Sequence, residues 1–131
     1  MDTEEIISNF EFLDSWEDKY RYIIELGENL PPMDENKKTE ATKVEGCQSQ
    51  VWITFEKRGV QFYFQADSDS AIVKGLEAVL LSLIDGKTAE EIRQLDIESI
   101  FHQLGLSEHL SPTRRNGFFS MVKRIHQIIE A

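Results

Sequence analysis

Apolar positions change their period twice along this chain, and the changes divide it into three parts. In the first part, Trp16, Tyr20, Ile23, Ile24 and Gly27 recur at helical spacing. They predict a helix from Ser15 to about Asn29, stopped by Pro31-Pro32. A shorter helix precedes it, from about Asp2 to Leu13, with Asp2 and Glu5 at capping-box spacing. Residues 33–41 are polar and read as a surface loop.

In the second part the period drops to two. Val51, Ile53 and Phe55 alternate with Trp52, Thr54 and Glu56. After Lys57-Arg58-Gly59, Val60, Phe62 and Phe64 alternate with Gln61, Tyr63 and Gln65. This predicts an antiparallel hairpin. A short strand over Thr42–Glu45 would pair ahead of it and leave Cys47 in the joining turn. In the third part helical spacing returns with Ile72, Leu76, Val79, Leu80, Leu83 and Ile84, ended by Gly86. Thr88 and Glu91 open a short helix through about Leu95, and Glu98 to Leu104 forms another before Gly105. Ser111-Pro112 starts the last helix, whose apolar face is Phe118, Met121, Val122, Ile125, Ile128 and Ile129. The expected class is α+β: a small antiparallel β-sheet with helices packed on one face.

Composition narrows the functions. A length of 131 residues fits one domain, 1–131. The net charge is −10, from 24 acidic and 14 basic residues, so phosphate backbones would repel the chain and nucleic acid is not an expected partner. The acids are spread along the chain, which fits solubility better than a surface for a basic partner. No apolar run is long enough to span a bilayer, and the acidic start Met1-Asp2-Thr3-Glu4-Glu5 is unlike a secretory signal. A cytoplasmic, non-membrane protein is expected.

The candidate chemistry is concentrated at Cys47, the single cysteine. One thiol cannot close an internal disulfide or supply a multi-cysteine metal site. It can carry one sulfur atom as a persulfide. Its flanks, Gly46 on one side and Gln48-Ser49-Gln50 on the other, suit a turn tip. The alternative is a small buried hydrophobe, the commonest state of a free cysteine. A reactive Cys47 would need its thiolate favoured by turn amides or by an arginine brought in by the fold. Ser68, Asp69 and Ser70 fit a helix N-terminus, and the segment lacks the spacing of a calcium loop. Arg114 and Arg115 stand in the first turn of the last helix, against its dipole. They would either pair with Asp67 or Asp69 or hold a thiolate, a carboxylate or a partner. His102, His109 and His126 lack ligand spacing, so no metal is expected, and no nucleotide-binding loop is present.

The chain resembles the SufE family of sulfur-acceptor proteins over nearly its whole length, about Ile6 to Ile129. The resemblance rests on Trp16–Gly27, on Gly46-Cys47-Gln48-Ser49-Gln50-Val51-Trp52-Ile53, on Asp67-Ser68-Asp69 with Ala71–Gly75, and on His109-Leu110-Ser111-Pro112-Thr113-Arg114. It implies a single SufE-like domain with a fold similar to that of the IscU scaffold. It also implies a sulfur-transfer protein, rather than a stand-alone enzyme, that takes persulfide sulfur from a pyridoxal-phosphate cysteine desulfurase (SufS-like) onto Cys47. Such a protein stimulates the desulfurase and delivers the sulfur to an iron–sulfur scaffold (SufB-like). No cofactor of its own is implied, since pyridoxal phosphate belongs to the partner. By the same resemblance Gly46, Gln48, Ser49, Asp69 and Arg114 would support the site or dock the partner. A monomer and a homodimer are both compatible.

Thiol exchange chemistry then leads to an expectation about dynamics. A persulfide exposed to cellular thiols would lose its sulfur, so Cys47 should rest in a pocket and swing out on docking, on a mobile loop from about Glu45 to Gln50. Two other readings remain: a redox-sensing thiol without a resolving cysteine, and a non-covalent activator in which Cys47 is incidental.

Overall fold

The chain begins with two helices whose caps are local. In the computed structural model, which describes residues 3–131, α1 spans Thr3–Glu11 and α2 spans Trp16–Glu28. The Asp2 cap expected for α1 lies outside the described residues. Ser15 caps α2 by accepting the Asp18 N–H at 3.1 Å, and Asn29 closes it. The helix therefore ends before Pro31. Of its predicted face, Ile23 and Gly27 are buried, whereas Trp16, Tyr20 and Ile24 are half-buried.

The hairpin forms as expected but is longer. Strand β1 is Val51–Arg58 and β2 is Gln61–Ser68, in register from Val51↔Ser68 to Arg58↔Gln61. The connection is Gly59-Val60, with Gly59 at φ 61°. Val60 is consequently 69% exposed. A two-residue strand β3, Lys87–Thr88, pairs with Gln61 and Phe62 and gives the order β1-β2-β3. Two residues are too few to carry a period, so the sequence did not predict it. The strand expected over Thr42–Glu45 is reduced to one bridge, Lys43↔Trp52. The Val44 N–H donates to Val51 O at 2.8 Å and the Ile53 N–H to Thr42 O at 2.9 Å. The Thr42 hydroxyl turns back to Lys37 O at 2.6 Å, which bends the backbone away before a ladder can lengthen.

The remaining elements are α3 (Ala71–Ile84), α4 (Ala89–Gln94), α5 (Ile97–Gln103), α6 (Leu106–His109) and α7 (Pro112–Glu130). The Thr88/Glu91 capping box is present on α4. The four-residue α6 was not predicted, because Gly105, at φ 77°, reads as a stop and instead reverses the chain into another turn of helix.

Val51, Ile53, Phe62, Phe64 and Ala66 share one sheet face and join the helices in a single apolar cluster with Ile23, Leu76, Leu80, Phe101, Phe118 and Ile125. The predicted polar loop packs over the opposite face. It contains a 3₁₀ turn, Glu35–Lys37, and sets Lys38 Nζ 5.2 Å from the Trp52 ring centre. The outer half of the hairpin runs past the helical layer, leaving Phe55 46% exposed despite its inward register.

Two glycines bring α2 against α3. A Cβ on Gly75 would lie 2.2 Å from Ile23 O, and one on Gly27 would lie 2.7 Å from the Gly75 N. The two backbones therefore touch, and α3 is held so that its first turns face the Cys47 loop.

Candidate functional site

Cys47 lies in the connection between the Lys43 bridge and β1. Gly46 makes the turn at φ 88°, and a Cβ there would meet Ser120 Oγ at 2.6 Å. The two ends of the connection are tied down. At its start, Arg124 on α7 donates to Ala41 O and to Lys43 O. At its end, the Gln50 N–H donates to Asp69 Oδ1 at 3.0 Å, and the Asp69 N–H returns to Gln50 O at 3.3 Å. The tip is held by longer contacts: Ser120 Oγ to Gly46 O at 3.5 Å and Cys47 Sγ to Gly117 O at 3.6 Å.

The thiol is half-buried in a chamber of about 140 Å³. Gln48 and Ser49 close it from the loop, while Ser70, Val73 and Leu76 line it from α3. Thr113, Arg114, Gly117, Phe118 and Met121 line it from α7. Ser70 and Ser111 cap these two helices, accepting the Val73 and Arg114 N–H groups, so the caps also fix the chamber walls. Neither of the two alternatives for Cys47 describes the result fully. The thiol sits on a turn tip and is nevertheless folded inward.

Burial pushes the Cys47 thiol above its ordinary pKa, and the nearby Glu77 carboxyl adds to the rise where that group is ionised. A reactive thiolate would need help from turn amides or an arginine, and neither is among the causes acting on the thiol here. In the chamber Cys47 is a protonated thiol that donates weakly to Gly117 O.

The predicted site residues divide by role. Cys47, Gln48, Ser49 and Arg114 share the chamber. Gly46 shapes the turn and faces a separate hollow of about 290 Å³ with Ser120, Lys123 and Arg124. Asp69 does not reach the thiol and instead clamps the end of the loop. The arginine–aspartate pairing, one of the two alternatives for Arg114 and Arg115, is absent among the described residues. Asp67 pairs with Lys38 at 3.1 Å and Lys74 at 3.6 Å, and Arg115 donates to Ser107 O at 3.1 Å. Burial pushes Asp67 up, but Lys38, the Ser68 N–H and Lys74 together outweigh it, and its pKa is lowered. Arg114 stays exposed on the chamber rim. No group of three or more His, Cys, Asp or Glu residues that could hold a metal exists among the described residues.

Sequence reasoning missed Glu77. It is 0% exposed on α3, neither carboxyl oxygen has a hydrogen-bond partner among the described residues, and burial pushes its pKa up to about 10. Lys74 stands three positions earlier, so the two read as an ordinary surface pair. The fold instead sends Lys74 to Asp67. The one available signal was a carboxylate inside the apolar run Leu76 to Leu81.

Comparisons with known proteins agree with this architecture. No helix among the described residues is long and apolar enough to cross a membrane. The solution structure of a hypothetical protein from Thermus thermophilus shares the fold, with a TM-score of 0.79 at 18% identity over 98% of this chain and 93% of that one. An uncharacterized SufE-like protein of Rhizobium meliloti (strain 1021) is 48% identical over 126 residues, covering 93% of this chain and 90% of the relative. One of Rhizobium etli is 49% identical over 128 residues, covering 95% and 86%. A family model described as SufE, Fe-S metabolism associated domain, matches residues 4–129. With the motif around Cys47, the α+β layout and these matches in agreement, the chain belongs to the SufE family of domains associated with Fe–S metabolism.

Proposed function

We propose that this protein is a sulfur acceptor and carrier. Cys47 takes the outer sulfur of a persulfide on a pyridoxal-phosphate cysteine desulfurase and hands it to an iron–sulfur assembly scaffold. The observation that carries this reading is a lone thiol, tucked into a chamber with space beyond its sulfur, on a loop tied at both ends and loosely held at its tip. The reaction is exchange of the disulfide type. The Cys47 thiolate attacks the outer sulfur, the donor S–S bond breaks, and the donor leaves as its thiolate. The Cys47 proton goes to solvent or to a base of the partner. This chain needs no cofactor of its own for that step.

Burial keeps the resting sulfur protonated, so it is a poor nucleophile inside the chamber. Reaction requires the tip to leave, exchanging Gly117 O for the partner's active site. Retraction afterwards shields the persulfide. Arg114, on the rim, is placed to meet the partner. A peroxide sensor would require the opposite electrostatics, an accessible and favoured thiolate.

The deciding experiment is intact mass, without reductant, after incubation with a cysteine desulfurase and free cysteine, with Cys47→Ser as control. The wild type should gain one or more sulfur atoms and the variant none. Faster cysteine turnover without any gain would replace the carrier by a non-covalent activator. Neither gain nor stimulation would abandon this role.

A further inference from the structure

One flank of α2 is apolar and open. Ile23 and Gly27 turn inward against α3, while Trp16, Tyr20 and Ile24, each one helical turn after the last, line a hollow of about 470 Å³ walled by α2 alone. All three are half-buried, so apolar surface there stays in contact with water. Trp16 is fixed in place. Its ring stacks on His109, with centres 4.8 Å apart and planes 13° from parallel, and meets Tyr20 edge-on at 6.2 Å. Pre-set aromatic side chains of this kind supply much of the energy of protein contacts. The stack also joins two segments distant in sequence, Trp16–Gly27 and His109–Arg114, of which the transfer chemistry uses only Arg114.

The outer edge of the hollow is acidic. Glu17, Glu25 and Glu28 are exposed, and none is paired with a cation among the described residues. Arg21, the one cation of the lining, is engaged with Asp18 at 3.6 Å. At about 100° per residue the three glutamates follow the apolar stripe along its solvent side. A stripe of apolar side chains bordered by unpaired carboxylates fits a helix of the matching pattern, an apolar stripe bordered by lysine or arginine. Nucleic acid or an anionic membrane surface would be repelled. We propose that this flank of α2 is a docking groove for a basic amphipathic helix of a partner protein. His109 stands five residues before Arg114 on the chamber rim, and five residues span at most about 18 Å. The groove and the Cys47 chamber share no lining residue, so a partner held in the groove stands beside the chamber and leaves its walls untouched. No atom of Cys47 takes part, so the groove would hold its helix even if the thiol carried no sulfur.

The test uses the full chain and a synthetic helical peptide about as long as α2, made only of leucine and lysine at amphipathic spacing. Its leucine–glutamate counterpart is the control. Fluorescence anisotropy of the labelled peptide reads affinity, and amide NMR shifts of the protein read the place. The lysine peptide should bind with shifts confined to α2 and His109, and the glutamate peptide should not bind. Glu17→Gln, Glu25→Gln and Glu28→Gln combined should weaken binding roughly tenfold, the loss of three exposed ion pairs of modest worth each. Asp34→Asn, Glu40→Gln and Glu98→Gln combined make the same charge change on exposed acids elsewhere and should leave affinity within about twofold. Trp16→Ala should remove most of the binding, and Tyr20→Ala replaces it if that variant does not fold. Equal weakening by the two charge sets would overturn the proposal, leaving only a general attraction to an acidic protein. Absence of binding, or shifts on another face, would overturn it as well. Self-association of the chain that is lost in Trp16→Ala would overturn it in favour of a second copy. Binding to phosphatidylglycerol vesicles that is lost in Trp16→Ala would overturn it in favour of a membrane.

Discussion

At the scale of single residues, Cys47 joins two properties that seldom coincide: a turn position and an inward-facing side chain. Its contacts are few, so it contributes little to the fold. Cys47→Ser should change stability by less than about 1 kcal/mol in urea denaturation, because a hydroxyl can donate to Gly117 O in place of the thiol. A loss above about 2 kcal/mol would mark Cys47 as a true core residue. Its reactivity should be low at rest. Burial raises the thiol pKa, so alkylation near pH 7 should be slower than that of a free cysteine and should rise with a midpoint above the ordinary thiol value. A faster rate than the free thiol would show that the tip is already out of the chamber. The motif Gly46–Trp52 made Cys47 legible from residues alone. Asp69 was legible as a residue near the site but not as a clamp, because its partner Gln50 is met only when β2 lies beside β1.

At the scale of elements, the long periodic segments and the short helices α4 and α5 matched their expectations, and the shortest elements did not. Helices α2, α3 and α7 carry enough turns to show a face, whereas β3 has two residues and α6 four. The alternation in β1 predicts which side faces inward but not where the helical layer stops, so Phe55 is exposed on the correct face. The α2–α3 contact depends on the absence of side chains. Gly75→Ala should cost about 3 kcal/mol or more, because the new methyl would meet the Ile23 carbonyl and one helix would have to retreat. Gly59→Ala provides the contrast. That position has open space and a left-handed φ of 61°, so the cost should be only about 1–2 kcal/mol of backbone strain. Equal costs in urea denaturation would contradict the backbone-contact account. Any displacement of α3 also moves Val73 and Leu76, so Gly75→Ala should loosen the Cys47 chamber as well.

At the scale of the whole molecule, two buried carboxyls give stability an asymmetric pH dependence. Asp67 has a lowered pKa in the fold, so its contribution is present above its ordinary value and is lost as pH falls through the folded one. Glu77 acts with the opposite sign. Its folded pKa of about 10 stands far above the ordinary 4.5, so the folded state keeps a proton that the unfolded chain releases. Stability therefore falls as pH rises between those values, by up to about 1.4 kcal/mol per unit. The wild type should need more urea to unfold at about pH 5 than at about pH 8. Glu77→Met should flatten that difference, with Asp67, Lys74 and Cys47 left as the neighbouring groups. An unchanged slope would mean that Glu77 reaches water.

The sequence by itself determined most local matters: the longer helices and the hairpin, most of the caps, the α+β class, and the single cysteine of the candidate site. These depend on side-chain period, on capping groups within three or four residues, and on a contiguous motif around Cys47. The tertiary structure decided everything that depends on distant segments meeting. It folded the thiol inward against α3 and α7, where burial raises its pKa, and gave Lys74 to Asp67. It also buried Glu77 without a partner. The physical reason is desolvation. How much water a group loses depends on what the rest of the chain packs around it, and no local pattern carries that information.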